Sequence, residues 1–320
     1  MNSEFALIKK YFSQLTPINQ SVALGIGDDA AILNLPLNKQ LVVSVDTLVE
    51  GRHFFKEADA FDLGYKSLAV NLSDMAAMGA EPHCFTLALC LPEIDQTWLK
   101  PFSLGLASLA KQFNLTLIGG DTTKGPKTIS IQILGFIESN QAILRQGAKV
   151  GDNLYVTGTL GDAGFALQQL LAKKKPSKEI QNRLDRPTPR VEIGLALTEI
   201  AHAMIDISDG FAADLRHLCQ ASQCGATIFL NQLPLSPTLQ KEIAFSKDWT
   251  FPLSGGEDYE LCFSADNKFH KEIQLLSSKY RVKISRVGRI TKNKTVNFMQ
   301  ADNTRYTIKQ SFGFDHFVEN

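Results

Sequence analysis

Short β-type segments alternate with helical segments along nearly all of this 320-residue chain, and this alternation limits its fold more than any other feature. Runs rich in β-branched and aromatic residues predict strands at Leu41–Val45, Phe85–Leu91, Leu115–Ile118, Ile129–Ile137, Leu154–Thr157 and Ala226–Leu230. Apolar periodicity predicts helices at Asp62–Met78, Gln96–Phe113, Gly161–Lys173, Pro189–His202, Gly210–Cys224 and Asn267–Lys279. Strands and helices in rotation indicate an α/β or α+β protein.

A boundary between two domains is predicted at the KVGD segment, residues 149–152. The preceding half ends there in a strand and a turn, and LYVTGTLGDAG opens a new strand–loop–helix unit. We therefore expect domains at residues 1–148 and 149–320. The Lys- and Pro-rich stretch Ala172–Pro189 is typical of a solvated helix end and connector, without catalytic content.

Composition limits which classes of partner and which cellular compartment we expect for this protein. Lys plus Arg equals Asp plus Glu at 33 each, so no overall field attracts nucleic acid or a membrane surface. The N-terminus predicts an amphipathic helix without the apolar core of a signal peptide, and no segment reaches transmembrane length. Five cysteines, an odd number without CxxC spacing, favour free thiols in the cytoplasm over disulfides or a zinc site.

Acidic residues are concentrated where apolar segments end beside Gly, Ser or Thr. The set comprises Asp28 and Asp29 in GIGDDA, Asp46 in SVDT, Asp121 in GGDT, and Asp206 and Asp209 in MIDISDG. An ionised carboxylate in such a place is costly without a partner, and basic residues are scarce nearby. Taken singly, each fits an ordinary turn, an Asx-turn or a helix start capped by Ser208. Taken together, they predict a Mg²⁺ site completed by substrate phosphates.

Helix Asp62–Met78 supplies an independent sign of the same site. Ser67, Asn71 and Asp74 form a narrow polar stripe, at spacings of four and three, on an otherwise apolar helix. The stripe predicts that Asp74 binds the same metal cluster. A hydrogen bond from the stripe to a neighbouring loop is the alternative.

Phosphate binding has to proceed without a P-loop, because neither GxxxxGK[ST] nor GxGxxG occurs. Ser208, before helix Gly210–Cys224, offers a hydroxyl and backbone N–H groups where an anion is favoured. Gly119 and Gly120 allow close backbone approach beside Asp121. Arg145 is a candidate phosphate clamp, with a surface arginine in a turn as the alternative.

These motifs together resemble a known family, the thiamine-monophosphate kinases, in the superfamily that includes aminoimidazole ribonucleotide synthetase and selenophosphate synthetase. The matching segments run in order over nearly the whole chain: GIGDDAAIL, SVDTLVEGRHF, YKSLAVNLSDMAAMGAEP, LIGGDTTKG, ILRQGAKVGDNLYVTGTLGDA, RPTPR, MIDISDG, LSGGEDYELCF and GFDHF. The resemblance implies a two-domain aminoimidazole ribonucleotide synthetase-like fold of mixed sheets with flanking helices. It also implies a homodimer joined through N-terminal-domain strands, with ATP, several Mg²⁺ ions and thiamine monophosphate as ligands.

The resemblance also assigns residues. It places metal ligation on Asp29, Ser44, Val45, Asp46, Asp74, Asp121, Asp206 and Asp209. It places ATP contacts on Gly120, Arg145 and Ser208, and substrate contacts on His53, Glu257 and Phe314. From the residues alone, a packed histidine, a neighbouring acid (Asp258 or Glu260) and a tail anchor are the alternatives for these last three.

Three positions depart from the family pattern. Val45 stands where the family often has Thr, so only its backbone carbonyl can serve a metal. Phe314 replaces Trp or Tyr and keeps an aromatic face for a cationic ligand. Phe211 replaces the common Leu, a change in packing.

The implied reaction is ATP-dependent transfer of a phosphoryl group to thiamine monophosphate, giving thiamine diphosphate. We expect direct in-line transfer and neither a covalent nor a general-base catalytic residue. The rival interpretations are a sibling ATP-using synthetase and a non-catalytic nucleotide- or metal-binding protein. Selenophosphate synthetases carry a reactive residue near the N-terminus, whereas the first cysteine here is Cys84.

Overall fold

The computed structural model describes residues 4–308, with side chains from Ala6 onward. Contacts divide the chain into two units. The first comprises the residues up to 75 together with 80–140, and the second comprises 76–79 and the chain from 141 onward. Residues 141–148, which the sequence analysis assigns to the first domain, thus make their contacts within the second unit.

The first unit is built on a four-stranded sheet. Its elements in chain order are α1 (Glu4–Tyr11), β1 (Val22–Leu24), β2 (Ile32–Leu33), β3 (Lys39–Val49), α2 (Ala60–Met78), β4 (Glu81–Leu91), α3 (Gln96–Gln112), β5 (Thr116–Lys124) and β6 (Thr128–Glu138). The strand order is β3-β6-β4-β5, and β1 pairs with β2 separately. Strand β6 is antiparallel to both neighbours, whereas β4 and β5 run parallel. The crossover between the parallel strands is helix α3, as parallel pairing requires.

Alternation along the strands sets the two faces of this sheet. On β3, Ser44, Asp46 and Leu48 share one face, and their partners across the ladder include the buried Ile131 and Ile133. The opposite face of β3 is exposed at several apolar positions: Leu41, Val43 and Val45. The polar side chains of Ser44 and Asp46 therefore lie beside buried apolar residues, where packing alone would favour an apolar residue.

The second unit contains a mixed seven-stranded sheet. Its elements are β7 (Asn153–Thr157), α4 (Asp162–Leu171), α5 (Lys178–Asp185), α6 (Val191–Ala196), β8 (Ala201–Asp206), α7 (Phe211–Ala221), β9 (Gly225–Phe229), α8 (Pro237–Ser246), α9 (Thr250–Ser254), β10 (Leu261–Ala265), α10 (His270–Tyr280), β11 (Ile284–Thr291), β12 (Val296–Met299) and β13 (Arg305–Tyr306). The strand order is β13-β12-β9-β11-β7-β10-β8. Among the strands described for this sheet, β9 and β12 form the only parallel pair. A buried core of 21 residues that includes Phe211, Leu215 and Leu218 from α7 packs on this sheet.

All six predicted strands are present, and five of the six predicted helices match with small shifts at their ends. The prediction for residues 189–202 is wrong in its second half, because α6 ends at Ala196 and β8 begins at Ala201. Pairing with β10 decides the conformation of this apolar segment, whose periodicity alone fits both element types.

The prediction of a plain connector at residues 172–189 is also wrong. Helix α5 lies within it, and its Ile180 and Leu184 are buried against α4 residues. The same segment supplies Arg183, which pairs with a buried carboxylate described below.

The predicted α/β (α+β) class, mixed sheets with flanking helices, is confirmed. Within residues 4–308, none of the helices combines the length and apolar character needed to cross a membrane. All five cysteines are free thiols, four of them buried and Cys90 half-buried.

Candidate active site

In the first unit, β3 and α2 bring two predicted metal ligands together. The Ser44 hydroxyl donates to Asp74 Oδ2 over 2.5 Å. Asp46 lies two residues further along β3 on the same face as Ser44. Val45 faces the opposite, exposed side, so its side chain is directed away from this pair. The polar face of β3 is therefore occupied by oxygen donors, as a site for a hard cation requires.

The polar stripe of α2 is satisfied partly within the helix. Ser67 Oγ donates to the carbonyl of Leu63, and Asn71 Nδ2 donates to the carbonyl of Ser67. Because the Ser67 carbonyl can only accept, the Asn71 atom that contacts it must be the NH₂ group, and this fixes the orientation of the side-chain amide. Asn71 is fully buried, and its Oδ1 has no hydrogen-bond partner among the described residues. A buried acceptor one turn from Asp74 favours a water or ion at this place.

Gly120 and Asp121 lie on β5, at the opposite edge of the sheet from β3. Gly120 pairs with Leu87, and Asp121 pairs with Ala88. Asp46 and Leu87 both pair with Ile131 of β6, so the cross-strand register places Asp46 level with Leu87 and Asp121 level with the next residue, Ala88. Because successive residues of a strand point to opposite faces, the side chains of Asp46 and Asp121 lie on opposite faces of the sheet. The register of the sheet does not by itself join these two carboxylates, and a shared metal remains a prediction.

Gly120 requires its lack of a side chain. Its φ is +149°, and a Cβ added there would lie 1.9 Å from the carbonyl oxygen of Leu87. Asp29 lies in the loop between β1 and β2, where it is exposed and its N–H donates to the Asp28 carboxylate over 2.9 Å. The prediction that Asp46 and Asp121 stand at strand ends is wrong, because β3 continues to Val49 and β5 continues to Lys124.

His53 is half-buried just after β3, and its tautomer is determined by a backbone contact. The N–H of Val49 donates to His53 Nδ1 over 3.0 Å. The accepting nitrogen is unprotonated, so the neutral ring carries its proton on Nε2. His53 thereby becomes a hydrogen-bond donor at Nε2, which suits an anionic or carbonyl-bearing ligand.

In the second unit, the loop after β8 carries three predicted site residues. Asp206 is the last residue of β8, and the pairing between β8 and β10 continues past both strand ends. Ile207 bonds through both its N–H and its C=O to the segment 259–260, each over 2.8 Å. The carbonyl of Ser208 accepts from the N–H of Glu257 over 2.7 Å. A predicted ATP contact and a predicted substrate contact are thus joined by one backbone hydrogen bond.

Asp214, in the first turn of α7, is a residue that the sequence analysis missed. Its Oδ2 accepts from the backbone N–H groups of Ser208, Asp209 and Gly210 over 3.1, 3.1 and 3.2 Å. Burial, together with the negative charges of Asp206 and Asp209, raises the pKa of Asp214 to about 8. The only signal in the sequence was an acidic residue at i+4 from the glycine of SDG.

This contact corrects the prediction for Ser208. The backbone N–H groups of Ser208 and its neighbours were expected to receive a phosphate, but they already donate to Asp214. Nor does Ser208 cap the helix, because α7 starts at Phe211 with Gly210 as its N-cap. The hydroxyl of Ser208 is what the loop can still offer to a nucleotide.

The segment 257–260 distinguishes between its three acidic residues. Asp258 and Glu260 are buried, whereas Glu257 is half-buried. Asp258 accepts from the N–H of Gly161 with both oxygens, over 2.9 and 3.0 Å. Glu257 and Tyr259 both have positive φ, +63° and +50°, which costs about 1–3 kcal/mol at a non-glycine residue. The alternatives Asp258 and Glu260 are held inside the protein, which leaves Glu257 as the ligand candidate.

Glu260 is the centre of a buried ion cluster. Its carboxylate accepts from Thr157 Oγ1 over 2.6 Å and from Arg183 over 2.7 Å. Arg190 contributes a bidentate pair of 2.7 and 2.6 Å. Burial alone would raise the pKa of the fully buried Glu260, but the two guanidinium groups and the hydroxyl outweigh burial and lower it. The cluster anchors β10 at the point where the Glu257 segment enters it.

Arg145 is exposed, and the loop that carries it is held by Ser222 at the end of α7. Ser222 Oγ donates to the carbonyl of Arg145 over 2.9 Å and accepts from the N–H groups of Gly147 and Ala148, each over 3.1 Å. Phe314, which is also predicted to contact the substrate, lies outside the described residues.

Over residues 4–308, no three or more His, Cys, Asp or Glu side chains are grouped so that they could hold a metal ion by themselves. A cleft of about 480 Å³ in the second unit is lined by α7 and the β12 region, including Arg216, Cys219, Lys294 and Arg305. None of the predicted site residues is among its described lining. The cleft is therefore not formed by the oxygen donors described above.

Comparison with known proteins agrees with the fold. The family model for the AIR synthase related protein N-terminal domain matches residues 27–137, and that for the C-terminal domain matches residues 149–299. Thiamine-monophosphate kinase of Haemophilus influenzae is 44% identical over 99% of this chain and 98% of its own length. The Bacillus subtilis enzyme of the same name is 34% identical over 98% and 99%.

Two solved structures are similar over most of the chain. Thiamine-monophosphate kinase from Stenotrophomonas maltophilia K279a has a TM-score of 0.86 and 42% identity, covering 93% of this chain and 96% of that one. AaThiL in complex with AMPPCP and TMP has a TM-score of 0.78 and 30% identity, covering 91% and 92%.

The chain belongs to the AIR synthase related family, whose two domains it contains in order. Within that family it is a member of the thiamine-monophosphate kinases, at 42–44% identity over nearly its full length to several of them.

Proposed function

We propose that this protein transfers the γ-phosphoryl group of ATP to thiamine monophosphate, which yields thiamine diphosphate and ADP. The observation that carries the proposal is similarity along the full chain to enzymes of that name. The complex of AaThiL with AMPPCP and TMP supports the same pair of substrates. This reaction is the last step in making the diphosphate form of thiamine.

The donor set fits Mg²⁺. The carboxylates of Asp206 and Asp209 lie close enough to Asp214 to raise its pKa, and a divalent cation would offset this repulsion. The buried Asn71 Oδ1 adds an acceptor in need of a donor. Mg²⁺ is usually held by one or two carboxylates plus substrate phosphates, so a site without three converging side chains still suits it.

We assign Mg²⁺ binding to Asp29, Ser44, the carbonyl of Val45, Asp46, Asp74, Asp121, Asp206 and Asp209. When bound, Mg²⁺ would supply positive charge that offsets the charges of ATP and the acceptor phosphate. The bond between Ser44 and Asp74 holds one oxygen of that carboxylate in a fixed orientation before any ion arrives.

ATP contacts are assigned to Gly120, Arg145 and Ser208. Gly120 presents backbone without a side chain, Arg145 an exposed guanidinium, and Ser208 a hydroxyl on a loop with fixed backbone. The acceptor is assigned to His53, Glu257 and Phe314. Donation from His53 Nε2 and the carboxylate of the half-buried Glu257 suit the phosphate and the cationic ring system of thiamine monophosphate.

The proposed chemistry is direct, in-line transfer. The acceptor is a phosphate monoester whose second pKa is about 6, so it is largely dianionic at neutral pH without help from a base. The remaining difficulty is to align two polyanions, which positioning and positive charge overcome. This accounts for a site of carboxylates and glycines without a nucleophile–base pair.

We also propose that the protein is a cytoplasmic homodimer that does not act on nucleic acids or membranes. The exposed apolar residues Leu41, Val43 and Val45 on the uncovered face of β3 support pairing between first domains. Five free thiols support a reducing compartment. The balance of charge supports the exclusion of nucleic acid.

One incubation tests the reaction. Purified protein, ATP, Mg²⁺ and thiamine monophosphate are mixed, and the products are separated by chromatography. The proposal predicts equal amounts of thiamine diphosphate and ADP. ADP without thiamine diphosphate would favour a sibling synthetase, and no turnover would favour a non-catalytic binding protein.

Substitutions then separate the assigned roles. Asp46→Asn and Asp121→Asn are expected to lower turnover by orders of magnitude with unchanged circular dichroism; near-normal turnover of both at saturating Mg²⁺ contradicts the metal assignment. His53→Ala and Glu257→Ala are expected to raise the KM of the acceptor. A change in the ATP dependence alone would contradict the substrate assignment.

A further inference from the structure

The first turn of α7 contains a buried carboxylate to which the family resemblance assigns no ligand. Asp214 is 3% exposed. A single oxygen, Oδ2, accepts from three successive backbone N–H groups, those of Ser208, Asp209 and Gly210. Three convergent donors on one oxygen impose a definite curl on this loop, because each N–H must point to the same place.

Most of the remaining backbone groups of the loop are also held. Ile207 bonds on both sides to the segment 259–260, and the carbonyl of Ser208 accepts from Glu257. The carbonyl of Gly210 accepts from α7. Gly210 itself has φ +121°, and a Cβ there would lie 2.9 Å from Ser254. The backbone of 207–210 is thus anchored on one side by the 257–260 segment and on the other by Asp214.

With the backbone anchored, the side chains of Ser208 and Asp209 are the parts of the loop that a ligand can use. Asp214 occupies the anion position at the start of α7, where a phosphate would otherwise bind. A phosphate of the nucleotide is therefore directed to the side chains of the loop and away from its N–H groups.

We infer that Asp214 is a positioning residue for nucleotide and metal binding: it fixes the 208–210 backbone so that the Ser208 hydroxyl and the Asp209 carboxylate are presented to Mg·ATP. The inference rests on the proposed function. It differs from a simple helix cap, because Asp214 lies inside the first turn of α7 and its Oδ2 holds the loop that precedes the helix, whereas the N-cap position itself is Gly210.

The test compares Asp214→Ala, Asp214→Asn and a matched control, Asp162→Asn. Asp162 is 2% exposed in the first turn of α4, and it accepts from Ser236 Oγ over 2.5 Å, so its loss disturbs a comparable buried bond in the same unit. Three quantities are measured on full-length protein: the melting temperature, hydrogen exchange of the peptide that covers 207–212, and the Kd of AMPPCP by calorimetry with and without Mg²⁺.

We expect Asp214→Ala to lose exchange protection at 208–210 and to weaken AMPPCP binding in Mg²⁺ by about 10–100-fold, the usual effect of removing a residue that orients ligands. Asp214→Asn keeps one acceptor oxygen and falls between Asp214→Ala and wild type. Asp162→Asn lowers the melting temperature but leaves the Kd within a factor of about two.

An Asp214→Asn or Asp214→Ala protein that is folded, has lost the protection at 208–210 and still binds AMPPCP like wild type overturns the positioning role. The positioning role is also overturned if Asp162→Asn weakens AMPPCP binding as much as the Asp214 variants do. Failure of the proposed function looks different, because wild-type protein would then form no thiamine diphosphate from ATP and thiamine monophosphate, whatever its Kd for AMPPCP.

Discussion

The replacement Glu260→Gln tests whether the ion cluster around Glu260 holds the second unit together. Glu260 is fully buried and accepts four hydrogen bonds, two of them from the bidentate Arg190. Gln keeps the shape, but it removes the charge and turns a donating NH₂ group toward guanidinium donors. Two half-buried arginines then lose the carboxylate with which they pair.

Breaking a buried ion pair by removing one partner costs about 3–5 kcal/mol. For a domain of roughly 150–250 residues, each kcal/mol lowers the melting temperature by about 2–4 °C, so a fall of roughly 6–20 °C is expected. Differential scanning fluorimetry measures it. Glu199→Gln, at an exposed position, is the control and is expected to change stability by less than about 0.5 kcal/mol.

The same cluster predicts a pH dependence with a definite sign. The pKa of Glu260 is lowered in the folded protein from its usual 4.5, so unfolded chains bind its proton more readily than folded ones. Its contribution is complete above pH about 4.5 and is lost as the pH falls through the lowered pKa. Glu260→Gln should therefore flatten the acid limb of a plot of melting temperature against pH. A variant within 2 °C, or about 1 kcal/mol, of wild type and with an unchanged acid limb would refute the reasoning.

Three further predictions concern the site and the thiols. Ser44→Ala removes the 2.5 Å bond to Asp74 and is expected to raise the Mg²⁺ concentration needed for half-maximal turnover by about tenfold. A Mg²⁺ titration identical to wild type would contradict this expectation. Gly120→Ala forces a Cβ to 1.9 Å from the backbone of β4, so a loss of more than about 2 kcal/mol in urea unfolding is expected, and wild-type stability would contradict that close approach. In native protein, Cys90 is expected to react with a thiol reagent well before Cys262, because burial shields the Cys262 thiol and strongly raises its pKa. Equal reaction rates of the two thiols would contradict the burial of Cys262.

The sequence suggested acidic loop residues as ligands, but it gave no sign of the residues that support these loops. Strand-end acids such as Asp206 and Asp209 stand out because charge beside glycine in an apolar setting is costly without a ligand. Arg183 and Arg190 gave no such sign, since their partner Glu260 is far away along the chain. A lysine- and proline-rich composition favoured a solvated connector there, and only tertiary packing shows a helix.

By itself, the sequence determined the class of fold, the order of the two domains and the family, because these depend on local periodicity and on motifs that run in order along the chain. Tertiary structure alone decided that residues 201–206 form a strand, that Asp214 takes the N–H groups expected to bind phosphate, and that Asp258 and Glu260 are buried whereas Glu257 is half-buried. Each of these outcomes depends on a partner distant in the chain or on burial. Neither can be read from the spacing of residues.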